Sequence, residues 1–192
     1  MDPRILIAII IVLAIILIVA IVVATRRQRS THLRRQFGSE YDRALQKHGN
    51  AKAAEADLAQ REEHVHKLTL RELPASERTA FADEWAAVQR RFVDDPAIAV
   101  SEADRLVERV MAARGYPVAT DFEHRANDIS VDYPGLVQNY RSARDITLRH
   151  RTGSATTEDL RQAMVYFRSL FEELLQSKSV VVDDTTILKR AS

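Results

Sequence analysis

Ile5 to Ala24 is an unbroken run of 20 apolar residues, mostly Ile, Val and Leu. No other feature constrains the chain as much. In water such a run has nothing to cover it. As a helix it spans about 30 Å, the thickness of a bilayer's hydrocarbon core. β-branched residues are only moderate helix formers in water, but in lipid the backbone must satisfy its own hydrogen bonds, and helix is the economical solution. The expectation is a single N-terminal transmembrane helix, with the lipid bilayer as partner through residues 5–24.

The flanks separate an anchor from a cleaved leader. A secretory leader has a shorter apolar core, of roughly 7–15 residues, preceded by basic residues. Here only Arg4 precedes, beside Asp2, and five arginines follow: Arg26, Arg27, Arg29, Arg34 and Arg35. Basic segments stay on the cytoplasmic side. This places the N-terminus outside and the rest of the chain inside, with the five arginines as basic residues facing the membrane. The alternative is an exported protein, if the run is cleaved or inserts the other way.

Beyond this basic stretch, residues 36–192 carry 22 basic and 26 acidic side chains, a net −4 with histidines neutral. That balance repels phosphates, and no basic face with interleaved aromatics appears, so nucleic acid is not an expected partner. Five glycines and five prolines in 192 residues are few breakers, and abundant Ala, Leu, Arg and Glu favour helices. The fold class expected is all-α: a transmembrane helix followed by a bundle of about seven helices. The divisions are 1–25 anchor, 26–36 basic juxtamembrane segment, 37–176 helical domain and 177–192 flexible tail. Within the domain lie a helical hairpin at 31–70 and a bundle at 76–176.

Apolar spacing and punctuation place the helices. Thr31–His48 carries Phe37, Tyr41, Ala44 and His48 on one face, with Gly38 a weak point, and Gly49-Asn50 stops it. Ala51–Leu70 shows a seam of Ala51, Ala54, Leu58, Arg61, Val65 and Leu68 alternating three and four apart. That seam pairs either with the preceding helix as an antiparallel hairpin or with another copy of the chain. Helix three, from Ser76 to Val93, bears a stripe of Phe81, Trp85, Val88 and Phe92, and Trp85 reads as core. Asp95-Pro96 restarts the chain as helix four, to Arg114, where Gly115 and Pro117 end it. Thr120 or Asp121 caps helix five to Ile129, broken by Ser130–Pro134. Helix six covers Gly135–His150. Thr156 with Asp159 forms a capping signal for helix seven, to Gln176, whose face of Leu160, Met164, Phe167, Leu170, Phe171 and Leu174 is the strongest in the chain. From Ser177 helical periodicity is lost; the tail is flexible or docks on the domain.

Chemistry-bearing patterns are sparse. The absence of cysteine removes disulfides, thiolate nucleophiles and cysteine zinc sites. There is no Gly-rich phosphate loop and no Gly-x-Ser-x-Gly elbow. His64 and His66 lie about 200° apart on a helix and cannot share one ion. Asp121, His124 and Asp128, three and four apart, share a helix face and are the one weak metal or proton-relay candidate; an ordinary capped, charged face with His–Asp pairing is the favoured reading. Arg114-Gly115-Tyr116-Pro117 and Ser130-Val131-Asp132-Tyr133-Pro134 are the two irregular connections where a site would sit, if the domain has one. No catalytic residue and no cofactor is expected.

Phe37-Gly38-Ser39-Glu40-Tyr41, Arg90-Arg91-Phe92-Val93-Asp94-Asp95-Pro96, Arg114-Gly115-Tyr116-Pro117-Val118 and Thr157-Glu158-Asp159-Leu160-Arg161-Gln162-Ala163-Met164 resemble segments of uncharacterised bacterial membrane-anchored or exported proteins. The resemblance covers residues 33–175 and implies a bacterial origin, without an activity or site residues. The functional expectation is a non-enzymatic, membrane-tethered helical module that binds a protein partner or itself. The alternative is a small enzyme or ligand-binding domain using the Arg114–Tyr133 region.

Overall fold

The computed structural model describes residues 3–119 and 121–176, with the side chains of 3–12, 14, 19, 22 and 26 outside that description. Thr120 and the tail at 177–192 also lie outside it. Eight helices follow in order: α1 (Pro3–Phe37), α2 (Ser39–His48), α3 (Ala51–His66), α4 (Ala75–Asp94), α5 (Pro96–Arg114), α6 (Phe122–Asp132), α7 (Val137–Arg151) and α8 (Thr157–Gln176). No strand occurs among the described residues, so the all-α class holds. The backbone divides into two compact units, one up to Glu62 and one from Glu63 onward.

In the first unit α1 is a single helix of 35 residues, about 52 Å long. It runs without a break from the apolar run into the residues from Thr31 onward, the continuity that the absence of a breaker between them leads one to expect. The break comes at Gly38, which takes φ +50°. That conformation is open to glycine at little cost and ends the helix. One expected helix over 31–48 is thus two pieces, α1's last turns and α2. Leu33 and Phe37 at the end of α1 are buried, as are Tyr41 and Ala44 on α2 and Ala54 and Leu58 on α3.

Side-chain bridges give the direction of α3. His32 meets Glu62 at 3.8 Å, Tyr41 donates its hydroxyl to Glu55 at 2.9 Å, and His48 lies 3.6 Å from Asp57. Rising numbers on one side meet broadly falling numbers on the other, so the pairing is antiparallel. Gly49 closes α2 in the left-handed conformation at φ +72°, and Asn50 Oδ1 accepts from the Ala53 amide at 2.9 Å to open α3. Arg61, within the apolar seam, is buried and bonds Asp57 and Glu40, which is buried too. Charge inside the seam is tolerated because it is paired. Helix α3 stops at His66, four residues short of the expected Leu70.

In the second unit α4, α5, α7 and α8 pack pairwise, with α6 against α7. The α8 face read from the sequence is buried, and Trp85 of α4 stacks on Phe171 at 4.7 Å between ring centroids. Phe81 and Phe92 at the ends of the α4 stripe are only half-buried. Asp95 caps α5 by accepting from the Ile98 amide at 3.0 Å, with Pro96 in the first turn. Helix α6 runs through Ser130, Val131 and Asp132, where the sequence suggests a break. Ser130 donates to the Asn127 carbonyl and stays within the helix; the stop comes at Tyr133, ahead of Pro134.

Along α1, Leu13, Ile15, Ile16, Leu17, Ile18, Ile21 and Val23 are 44–61% exposed. Among the described residues no protein core covers them. Among the described residues no helix is long and apolar enough to cross a membrane. The anchor read at Ile5–Ala24 falls in large part on side chains outside the description.

Candidate functional site

The residues singled out as a metal or proton-relay face do not act together. Asp121 is the N-cap of α6: its Oδ1 accepts from the His124 amide at 2.9 Å, and its Oδ2 lies 2.9 Å from His124 Nδ1. The His124 amide, followed by its ring, holds the Asp121 carboxyl below the ordinary aspartate range. Both side chains are about two-thirds exposed. Asp128 is buried instead, and its Oδ1 lies 3.6 Å from His64 Nε2. Two turns of helix put Asp128 against the interior while the cap stays in solvent, so the three give no ligand set. Among the described residues, no group of three or more acidic or histidine side chains is placed to hold a metal ion.

The two irregular connections also serve the fold. Arg114 is 2% exposed and donates from Nη1 to the Leu174 carbonyl at 3.0 Å. Its own carbonyl accepts from the Arg71 amide at 2.9 Å. Gly115 takes φ +101°, and a Cβ there would run into the Thr69 carbonyl. Tyr116 is buried and donates its hydroxyl to Asp132. Burial, with the neighbouring Asp132 charge, pushes the Tyr116 hydroxyl far above the ordinary tyrosine range, so it stays a donor at any physiological pH. The side chains expected to line a site in this region are therefore used to tie helix ends.

A charged layer between α5, α6 and α7 was not marked by sequence reasoning. Arg125 of α6 pairs with Glu108 of α5 at 2.5 Å, and Arg144 of α7 with Asp104 of α5 at 3.0 Å. Arg141 of α7 reaches back to Glu123 and to Asn127 Oδ1. The guanidinium groups of Arg144 and Arg125 lie 5.4 and 6.0 Å from the Phe122 ring centroid, and Phe122 leans on Tyr140 at 4.7 Å. Burial raises the Asp104 carboxyl above its usual range, opposed by Arg144. Burial likewise pushes the Tyr140 hydroxyl up, helped by Asp104. The sequence signal was faint: Asp104, Glu108, Arg125 and Arg144 are scattered acids and bases whose pairing depends on tertiary approach.

Surface grooves lie among the described residues of this unit. Between α4 and α5 runs a groove of about 340 Å³ with Glu84, Arg91, Glu102, Arg105 and Arg109 along it. Most of that charge is internally matched, Arg91 with Glu102 at 3.0 Å and Arg109 with Glu84. Between α4 and α8 a smaller one, about 160 Å³, has Trp85, Phe92, Met164 and Val165 with Arg161 and Arg168. Both are shallow features on helix faces, suited to a protein surface more than to an enclosed small molecule.

The basic residues at the end of the apolar run behave differently from all of these. Arg27, Arg29, Arg34 and Arg35 are exposed on α1. Arg34 sits over the Tyr41 ring at 4.7 Å. No acidic residue lies between Asp2 and Glu40.

The chain matches no protein-family model, no curated protein and no solved structure.

Proposed function

We propose that this chain is a membrane-tethered helical module, without catalytic activity, that engages a protein partner or a second copy of itself at the bilayer. The observation that carries the reading is α1. One unbroken helix joins a row of exposed aliphatic side chains, Leu13 to Val23, to the buried Leu33 and Phe37. Exposed apolar surface on this scale marks an interaction with lipid or protein. The 20-residue length of the Ile5–Ala24 run in the sequence favours lipid. From Ala24 to Leu33 is nine residues, about 14 Å of helix, so the tether is short and stiff. The arginines on one side of the run favour an external N-terminus and a cytoplasmic domain. Tethering then raises the effective concentration of whatever the domain meets at the membrane.

The test is flotation of vesicles carrying the full chain, with a variant lacking residues 1–24 beside it. The full chain is expected to float and resist alkaline extraction, and the shortened one to remain behind. Washing out of the full chain overturns the tether. A reporter fused after Ser192 decides the side: phosphatase activity there contradicts the orientation. Light scattering of the full chain in mild detergent, with cross-linking in intact membranes, tests the interaction. A monomer that cross-links to nothing counts against it.

A further inference from the structure

Most arginines of the second unit are satisfied by carboxylates. Arg91, Arg109, Arg144, Arg149, Arg161 and Arg168 each form an ion pair. Arg27, Arg29 and Arg35 form none among the described residues, and the sequence offers no acid within ten positions before them. This is a stretch of charge left open on a rigid helix.

The arrangement around the axis narrows what could close it. A helix turns about 100° per residue. Arg27 and Arg34 therefore fall on one side, Arg35 about a quarter turn away, and Arg29 on nearly the opposite side. A single phosphate needs convergent guanidinium groups, and a docked protein meets one side. Groups that point in opposing directions around one rod are met together only by a ligand that surrounds it. The stretch also begins two residues after the apolar run ends, where a spanning helix leaves the hydrocarbon for the headgroup layer. We propose that these arginines form a collar that binds the phosphates of anionic phospholipids in the leaflet on the domain side, in preference to zwitterionic lipid. This rests on the membrane reading of α1.

The collar is graded along the axis. Arg29 lies five residues past Ala24, about 8 Å, and Arg35 eleven residues past it, about 16 Å. The headgroup layer is several ångströms deep and the ionic reach of its surface is about 8 Å at physiological salt. The inner arginines should carry most of the preference and the outer pair less.

The experiment reconstitutes the full chain in phosphatidylcholine vesicles containing trace spin-labelled phosphatidylglycerol or spin-labelled phosphatidylcholine. The motionally restricted fraction of each label is read by electron paramagnetic resonance. The wild type is expected to restrict labelled phosphatidylglycerol several-fold more favourably than phosphatidylcholine. Replacing Arg26, Arg27 and Arg29 together by Gln is expected to bring the ratio near one, and replacing Arg34 and Arg35 by Gln to lower it less. Equal restriction of both labels by the wild type, or no change in the triple variant, overturns the collar and leaves the tether standing. No restricted component from either label overturns both. Because restricted phosphatidylcholine reports insertion in the same sample, a variant that fails to insert is recognised as such.

Discussion

Arg114, in the last turn of α5, donates from Nη1 to the main-chain carbonyl of Leu174, sixty residues on in α8, at 3.0 Å. The guanidinium is almost wholly buried. A C-terminal turn normally leaves carbonyl groups unsatisfied, and here a cation from one helix end supplies the donor for another. The strongest apolar face in the chain is thus latched by a polar contact that no periodicity reveals.

Replacing this residue is expected to be costly. Arg114→Ala removes a buried donor and leaves a void beside the Leu174 carbonyl, with a loss of about 3 kcal/mol or more. Urea unfolding of the full chain in mild detergent, followed by tryptophan fluorescence of Trp85, measures it. An unchanged midpoint would show that the latch carries no stability.

The neighbouring glycine gives an independent check. Gly115→Ala places a side chain at φ +101° and drives its Cβ toward the Thr69 carbonyl. The cost expected is about 2 kcal/mol, from backbone conformation together with the displaced strand of loop. Gly153→Ala is the comparison, at φ +73° with open space around the Cβ, and should cost less.

Asp104 makes a pH prediction. Burial raises its carboxyl in the folded state, so the fold binds that proton more tightly than the unfolded chain does. Its contribution is fully present below the unfolded value, near 3.8, and is lost as pH rises through the folded value. Asp104→Asn removes this dependence. Measured from pH 4 to 7, the variant should gain stability relative to wild type as pH rises; a flat difference contradicts the assignment.

Thr156 and Asp159 cap α8 reciprocally, the Asp159 amide donating to Thr156 Oγ1 at 3.2 Å and the Thr156 amide to Asp159 Oδ2 at 2.7 Å. Thr156→Ala is expected to cost about 1 kcal/mol. The Thr156 amide and hydroxyl hold the Asp159 carboxyl below its usual range. Its stabilisation is present above the unfolded value of 3.8 and disappears as pH falls through the lower folded one. The penalty of Asp159→Asn seen at pH 7 should shrink in acid; calorimetry at pH 7 and pH 3 reads it.

Local rules in the sequence carried α4, α5 and α8, because Asp95-Pro96, Gly115 and Thr156–Asp159 each perform the role their residue types advertise. They missed at Gly38, where a residue judged a weak point is a full break, and at Ser130–Asp132, where turn-forming residues stay helical until Pro134 intervenes. The Asp121–His124–Asp128 pattern assumed that a shared helix face means a shared environment. Asp121 and His124 remain in solvent while Asp128 is covered. The Asp104, Glu108, Arg125 and Arg144 layer was illegible for the opposite reason: its partners lie on three helices, and only packing brings them together.

Between Pro3 and Gly38 the chain contains neither glycine nor a second proline. Among the described residues the first joint is therefore at Gly38, beyond Leu33 and Phe37. A rod without joints transmits whatever leans on its far end. A push or a tilt applied along the exposed row from Leu13 to Val23 would arrive undamped at the interior of the first unit, as strain on Leu33 and Phe37.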